Sequence, residues 1–261
     1  MIQIKDKSVC CGCSACVQIC PKQCISLKED KEGFLYPTVN HAFCVECGKC
    51  EKVCPELHPF EVHEPLKVYA AKHQDDAVRK VSSSGGIFTL LADMVIDEGG
   101  VVFGACFDSD WSVVHDFTET HEGLQAFRGS KYLQSRIGNT YRQAEVFLKA
   151  GRKVLFTGTP CQIAGLKKYL HKDYENLLAV DFVCHGVPSP LVWKKYLEEI
   201  IACQCEKNSV LLHSNPFISE RGSMAGIRKI DAISFRNKNL GWKKYSFALT
   251  LSEVTTDGEK N

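Results

Sequence analysis

Two folds in tandem are predicted by this sequence: a small α+β head organised by its cysteines, then an α/β domain with a partly parallel sheet. Three observations carry that expectation. A cysteine run of fixed spacing occurs twice between Cys10 and Pro55. A proline-bearing break, His58–Pro65, follows the second run. Beyond it, short apolar runs alternate with segments of helical periodicity.

The first run reads Cys10-Cys11-Gly12-Cys13-Ser14-Ala15-Cys16-Val17-Gln18-Ile19-Cys20-Pro21, and the second Cys44-Val45-Glu46-Cys47-Gly48-Lys49-Cys50-Glu51-Lys52-Val53-Cys54-Pro55. Both fit C-x2-C-x2-C-x3-C-P, the spacing of bacterial ferredoxins with two clusters, in which the fourth cysteine of each run serves the other cluster. Residues 1–57 are therefore expected to form a ferredoxin-like two-cluster domain. Cys10, Cys13, Cys16 and Cys54 would hold one [4Fe-4S] cluster, and Cys44, Cys47, Cys50 and Cys20 the other. Each motif proline ends the local turn and removes a backbone donor beside a ligand. Such a head has almost no apolar core, and the clusters themselves cross-link its loops.

Zinc ribbons use two C-x2-C pairs per metal and would leave cysteines over. A disulfide framework needs an oxidising compartment, and Met1-Ile2-Gln3-Ile4-Lys5 does not resemble an export signal. Fifteen cysteines without such a signal point to metal ligation in a reducing cytoplasm, and exposed clusters to an anaerobe. Cys11 and Cys24 fall outside the ligand pattern and receive no role. Lys28–Pro37, with Gly33 and Pro37, reads as the turn between the two halves.

With 32 basic against 31 acidic side chains, the net charge of +1 gives no electrostatic case for nucleic acid or for a strongly anionic membrane surface. The apolar stretches Gly86–Ile96 and Val101–Phe107 fall far short of the ~18–20 residues of a transmembrane helix. An apolar fraction of 44% and a charged fraction of 24% are those of an ordinary globular chain.

After the linker at 58–65, residues 66–261 read as the α/β domain. Lys67–Lys72 is a short strand candidate. Ser82-Ser83-Ser84-Gly85-Gly86 precedes a helix over Ile87–Asp97, where Ile87, Leu90, Leu91 and Met94 recur at helical spacing and Gly99-Gly100 stops it. Val101–Phe107 and Trp111–Thr118 are strands joined at Asp108-Ser109-Asp110, and Gly138–Ala150 is a helix. Two strand–helix units follow. Lys153–Thr157 leads through Gly158-Thr159-Pro160-Cys161 into a helix with Ile163, Leu166 and Leu170 on one face. Leu177–Val183 leads through Cys184-His185-Gly186-Val187-Pro188 into a helix carrying Trp193, Tyr196, Leu197, Ile200 and Ile201. This succession implies a parallel pair. Asn215–Gly226 reads as a loop, and Ala232–Arg236 with Trp242–Leu251 as a hairpin through Asn239-Leu240-Gly241.

Cys161 and Cys184 each follow the C-terminal end of a strand, the edge where open α/β sheets bind ligands. Three readings stand side by side: a third cluster sharing both thiols, a reactive thiol at the start of a helix, or inert buried cysteines. Cys106, Cys203 and Cys205 are read as inert. Ser82–Gly86 offers backbone N–H groups to a phosphate, or simply an N-cap. Arg128-Gly129-Ser130-Lys131-Tyr132 reads as a solvated loop or as part of a site. His185 could donate a proton near a reducible ring, or only satisfy local hydrogen bonds.

The cysteine head, the Ser82–Gly86, Arg128–Tyr132, Gly158–Gln162 and Cys184–Ser189 stretches, and Ser234-Phe235-Arg236 with Gly241-Trp242-Lys243-Lys244 together resemble the family of coenzyme F420 hydrogenase/dehydrogenase beta subunits. The resemblance implies an iron–sulfur flavoprotein with FAD in the α/β domain. It makes Ser83, Ser84, Gly85, Gly86, Arg128, Ser130, Lys131 and Tyr132 FAD-contact candidates, and Cys161 and Cys184 ligands of a flavin-side cluster. Similar bacterial proteins run on into another cysteine-bearing segment, whereas this sequence stops at Asn261. The completeness of a third [4Fe-4S] cluster, and of the domain's C-terminal end, is thereby left open.

The function expected is an oxidoreductase that passes electrons between ferredoxin-type clusters and FAD, then to or from a two-electron acceptor such as coenzyme F420 or another small organic substrate. A redox partner protein, either ferredoxin or a hydrogenase/dehydrogenase-type subunit, would complete the circuit. Two alternatives compete: a non-catalytic electron-transfer subunit of a larger complex, and a thiol enzyme with Cys161 as nucleophile.

Overall fold

The computed structural model describes residues 1–61, 64–213, 228–237 and 246–253. Met1–Pro190 form one compact unit and the described parts of Leu191–Asn261 another.

In the first unit, the cysteine runs are short turns of helix, α1 (Ala15–Ile19) and α2 (Lys49–Lys52), separated by the antiparallel pair β1 (Ile25–Glu29) and β2 (Leu35–Val39). The turn expected over Lys28–Pro37 is shorter than the sequence implied. It closes between Asp30 and Phe34, where the Phe34 carbonyl accepts from the Asp30 amide at 2.9 Å. Pro37 stands inside β2 opposite Leu27, which a two-stranded sheet permits because every strand in it is an edge.

Lys67–Lys72 is not a strand. Leu66 is wholly exposed, and Val68 and Tyr69 largely so. Apolar alternation there meets no neighbouring strand among the described residues. Helices α3 (Asp76–Val81) and α4 (Ile87–Asp97) follow, the second starting at Gly86 and running over the stretch its periodicity marked. It stops where Gly99 turns left-handed, and Gly100 leaves no room for a Cβ, which would meet the Val95 and Lys153 carbonyls at 2.6 and 2.8 Å.

The central sheet has the order β4-β3-β5-β6. Strand β3 (Val101–Phe107) pairs antiparallel with β4 (Val113–Thr118) and parallel with β5 (Val154–Gly158); β5 pairs parallel with β6 (Leu177–Asp181). Alternation along the strands loads both faces. Val101, Phe103, Val154 and Phe156 face one layer, with α6 (Thr140–Lys149) and α7 (Pro160–Leu170); Val102, Cys106 and Leu155 face the other, with α4 and α5 (Leu124–Phe127). Phe103 and Phe156 stack with centroids 5.2 Å apart at the centre of the first layer.

That first layer also takes in Cys13, Ala15 and Val53 of the head. The head is therefore packed into the main core as well as held by its own small cluster of Ile2, Cys16, Cys20, Cys24, Ile25 and Cys50.

In the second unit, α8 (Pro190–His213) carries Trp193 and Tyr196 against Phe235 and Phe247 of the antiparallel pair β7 (Arg228–Asn237) and β8 (Ser246–Glu253). The connection between these strands, the 215–226 loop, Trp242 and the side chains of Cys203 and Cys205 lie outside what the structure describes.

Candidate functional site

The head presents its thiols in three groups. Cys20, Cys44, Cys47 and Cys50, three from the second run and one from the first, all line one small cavity that opens to solvent. This is the ligand set that the interleaved spacing predicts. Its sulfurs attract N–H donors: the Ile2 amide lies 3.2 Å from Cys50 Sγ, and hydrogen bonds from Cys24, Lys22 and Gln23 outweigh burial to lower the Cys20 thiol below the usual thiol range. Soft thiolate donors ringed by amides suit an iron–sulfur cluster. Among the described residues, no three His, Cys, Asp or Glu side chains close on a single-ion position.

The second group is Cys10, Cys16 and Cys54. Burial, and then the neighbouring Cys10, Cys54 and Cys50, push the Cys16 thiol up to about 12. Cys10 is raised by burial and by Cys54. Cys13, the fourth expected ligand, points into the main core, with its sulfur packed on Gly165 of α7.

Cys13 begins the third group, which the ligand spacing does not show. The Cys11 thiol neighbours those of Cys13 and Cys161, and Cys161 Sγ lies 3.1 Å from Thr159 Oγ1. The Cys161 thiol is pushed well up, first by Cys11 and then by burial. A helix start alone would lower it. The neighbouring Cys11 thiol outweighs the helix start in that shift. Cys184 sits exposed on the turn after β6 with the Gly186 amide 3.4 Å from its sulfur, and His185 beside it is exposed too. The strands that deliver Cys161 and Cys184 are adjacent and parallel, as expected.

On the other side of the sheet, two of the stretches that the resemblance made flavin-contact candidates converge. Gly86 opens α4 at φ +81°, where a Cβ would come within 3.0 Å of His73 Cβ. No side chain caps α4. Ser83 Oγ is buried without a hydrogen-bond partner. Arg128 Nε donates to Thr89 Oγ1 in the first turn of α4 at 3.2 Å, so the guanidinium lies at the same helix end. Lys131 Nζ donates to the Ala126 and Arg128 carbonyls at 2.7 and 3.0 Å, and burial pushes its amine down to about 8. An uncapped helix start, an orphaned hydroxyl and two cations fit a phosphate-bearing group.

Sequence reasoning missed His115. It is buried in β4, accepting from Ser135 Oγ at Nδ1 (2.7 Å) and donating from Nε2 to the Thr157 carbonyl (2.9 Å), while Gln162 Nε2 donates to Ser135 Oγ. Burial holds it neutral, at about 4. This network ties β4 to the turn that presents Cys161. No spacing in the sequence announces it, since its members come from four separate segments.

Family models match three stretches. Residues 9–57 match a 4Fe-4S dicluster domain. Residues 68–140 and 151–214 match the N-terminal and C-terminal parts of the coenzyme F420 hydrogenase/dehydrogenase beta subunit. The chain is 25% identical over 205 residues to the coenzyme F420-dependent sulfite reductase of Methanocaldococcus jannaschii, covering 75% of this chain and 30% of that protein. It is 26% identical over 173 residues to a component of the F420H2 dehydrogenase of Methanosarcina mazei, covering 61% of this chain and 48% of that one. The head alone is 38% identical over 65 residues to the 7Fe ferredoxin of Hydrogenibacillus schlegelii, covering 24% of this chain and 77% of the ferredoxin. The chain thus spans between 30% and 48% of the two F420-linked relatives. With both parts of one family's model falling in order on the segments that supply all four strands of the central sheet, the chain belongs to the family of coenzyme F420 hydrogenase/dehydrogenase beta subunits.

Proposed function

We propose that the chain is an iron–sulfur flavoprotein oxidoreductase subunit, with residues 1–57 as a two-cluster head and 66–261 as the FAD-binding module. The observation that carries this reading is the single cavity ringed by Cys20, Cys44, Cys47 and Cys50, drawn from both halves of the repeat. Cys10, Cys13, Cys16 and Cys54 would hold the first cluster. FAD, when bound, would supply the change between one-electron and two-electron chemistry. The α4 amides, Ser83 Oγ and Arg128 would hold its phosphates, with Ser84, Ser130, Lys131 and Tyr132 nearby in sequence. Cys161, with Cys11 beside it, is the thiol through which a flavin-side cluster would be fixed, and Cys184 its partner. His185 would be a proton donor to the bound substrate. The names of the F420-linked relatives support coenzyme F420, or another small hydride acceptor, as that substrate.

The test is anaerobic reconstitution with iron, sulfide and FAD, followed by cofactor analysis. The reading requires about eight irons or more and flavin absorption. Full iron without flavin removes the flavoprotein half. A second reading, a non-catalytic electron-transfer subunit of a larger complex, is favoured by the name of the Methanosarcina mazei relative, which is a subunit of a dehydrogenase. It predicts clusters but turnover with small acceptors only when a partner subunit is added. In either case no helix among the described residues is long and apolar enough to cross a membrane.

A further inference from the structure

The residues that follow the Arg128–Tyr132 stretch form a strap along the outer side of β4. Arg136 bridges in parallel to Val114. The His115 amide donates to the Arg136 carbonyl and the Arg136 amide to the Val113 carbonyl, both at 2.9 Å. Burial alternates along the strap as it does in a strand: Leu133, Ser135 and Ile137 are buried, Gln134 is half-buried and Arg136 is exposed.

Gln134 meets the head. Its Nε2 donates to the Cys11 carbonyl at 3.0 Å, inside the loop that runs from Cys10 to Cys13. The fit is close, because a Cβ at Gly12 would come within 2.6 Å of that nitrogen. The next residue is tied the other way: Ser135 Oγ lies 2.7 Å from His115 Nδ1 and accepts from Gln162 Nε2 at 2.9 Å. Gln134 therefore cannot shift without disturbing buried neighbours on either side. At its far end the strap leads back to the start of α4. Arg128 Nε reaches Thr89 Oγ1 there, and Lys131 closes the intervening turn on the Ala126 and Arg128 carbonyls. Gln134 follows Lys131 by three positions. One short segment thus touches the thiol loop of the head at one end and the phosphate-type site at the other.

We propose that Gln134 is a positioning residue that holds the Cys10–Cys13 loop in register with the Arg128–Tyr132 stretch, so that a cofactor filling either site favours filling of the other. The inference rests on the reading of the head as a cluster site and of the α4 start as the FAD site. Whichever group binds first orders the strap, and the second then meets a segment whose freedom is already spent. Such coupling is reciprocal, and a factor of about ten is ordinary for two sites joined in this way.

Anaerobic equilibrium dialysis should be used to measure the Kd of FAD for the iron-loaded and iron-free forms of the full chain and of its Gln134→Glu, Gln134→Leu and Gln18→Ala variants. Glutamate keeps the side-chain length but puts an oxygen where the N–H donor was, and leucine keeps most of the volume. Gln18→Ala loosens the head at a contact that is not on the strap. Iron loading should tighten FAD about tenfold in the full chain and in Gln18→Ala, and less than about twofold in both Gln134 variants. The iron-free forms of the Gln134 variants should bind FAD as the iron-free full chain does. If the full chain binds both groups with a ratio near one, the proposal is overturned while the flavoprotein reading stands. It is equally overturned if the Gln134 variants keep the tenfold ratio, or if Gln18→Ala loses it. Gln134 variants that take up no iron, or that bind FAD more weakly without iron, would make the residue a plain structural support and overturn it too. A full chain that binds no FAD, or takes up no iron, removes the underlying reading and the proposal with it.

Discussion

Replacing Gln18 by alanine should loosen a helix that is more than a hundred residues away in the chain. Gln18 lies in α1 between two expected ligands, and its Oε1 accepts from the Tyr141 and Arg142 amides at 3.1 and 3.2 Å. These are the second and third residues of α6, whose own N-cap, Asn139, gives no side-chain hydrogen bond. The head thus supplies the missing cap, and Arg142 Nη2 donates back to the Gln18 carbonyl at 2.9 Å. Three effects set the magnitude. Leaving the buried Tyr141 amide unmet costs about 2 kcal/mol. The one lost side-chain methylene, Cγ, costs about 0.8 kcal/mol. Against these, Gln18 Nε2 is itself buried without a partner, and its removal returns about 1–2 kcal/mol. The net expectation is a loss of about 1 kcal/mol. Denaturant unfolding of the anaerobic protein measures it, and hydrogen exchange of the peptide spanning 138–149 localises it. If stability changes by less than about 0.5 kcal/mol and the Tyr141 amide exchanges as slowly as before, the capping argument is wrong.

His115 is expected to make the protein acid-sensitive. Its folded value of about 4 lies below the ordinary 6.5, so the unfolded chain binds the proton first; the stability present above 6.5 is lost as pH falls toward 4, by about 3 kcal/mol. A His115→Gln variant should show a flatter fall of melting temperature over that window. Gly165→Ala would bring a Cβ within 3.0–3.1 Å of Cys13 Cβ, Cys13 Sγ and Tyr141 Oη, and overpacking of this kind costs about 1–3 kcal/mol. Displacing Cys13 should remove about half the iron while leaving the other cluster's EPR signal. Ser83→Ala and Arg128→Ala should each weaken FAD binding about tenfold or more, read by flavin fluorescence, with iron content unchanged.

What the sequence made legible was whatever is local. The doubled cysteine spacing shows four thiols that the fold gathers at one cavity, and apolar periodicity shows α4, β3, α7 and the parallel β5–β6 pair. Lys67–Lys72 misled because alternation describes a strand's faces and not whether a neighbour exists to bond it. The rest depends on contacts across the chain. Cys11 looked superfluous because ligand spacing counts positions along a loop, while the packing of α1 on α7 decides where its sulfur goes. Gln18 and His115 carried no signal for the same reason: a cap or a buried ring acquires its role only from the partner that arrives.

The burial of Cys13 against α7 has a bearing on how such a protein could be rearranged. With Cys13, Ala15 and Val53 inside the main apolar layer, the head is no interchangeable module. A chimaera that grafted a free-standing ferredoxin onto residue 66 would set a surface made for water against a face shaped to receive a thiol loop, and would remove the Gln18 contact from α6. Any successful exchange of heads would have to carry compensating changes at Gly165, Tyr141 and Arg142, so these three positions should vary in step with the loop they meet.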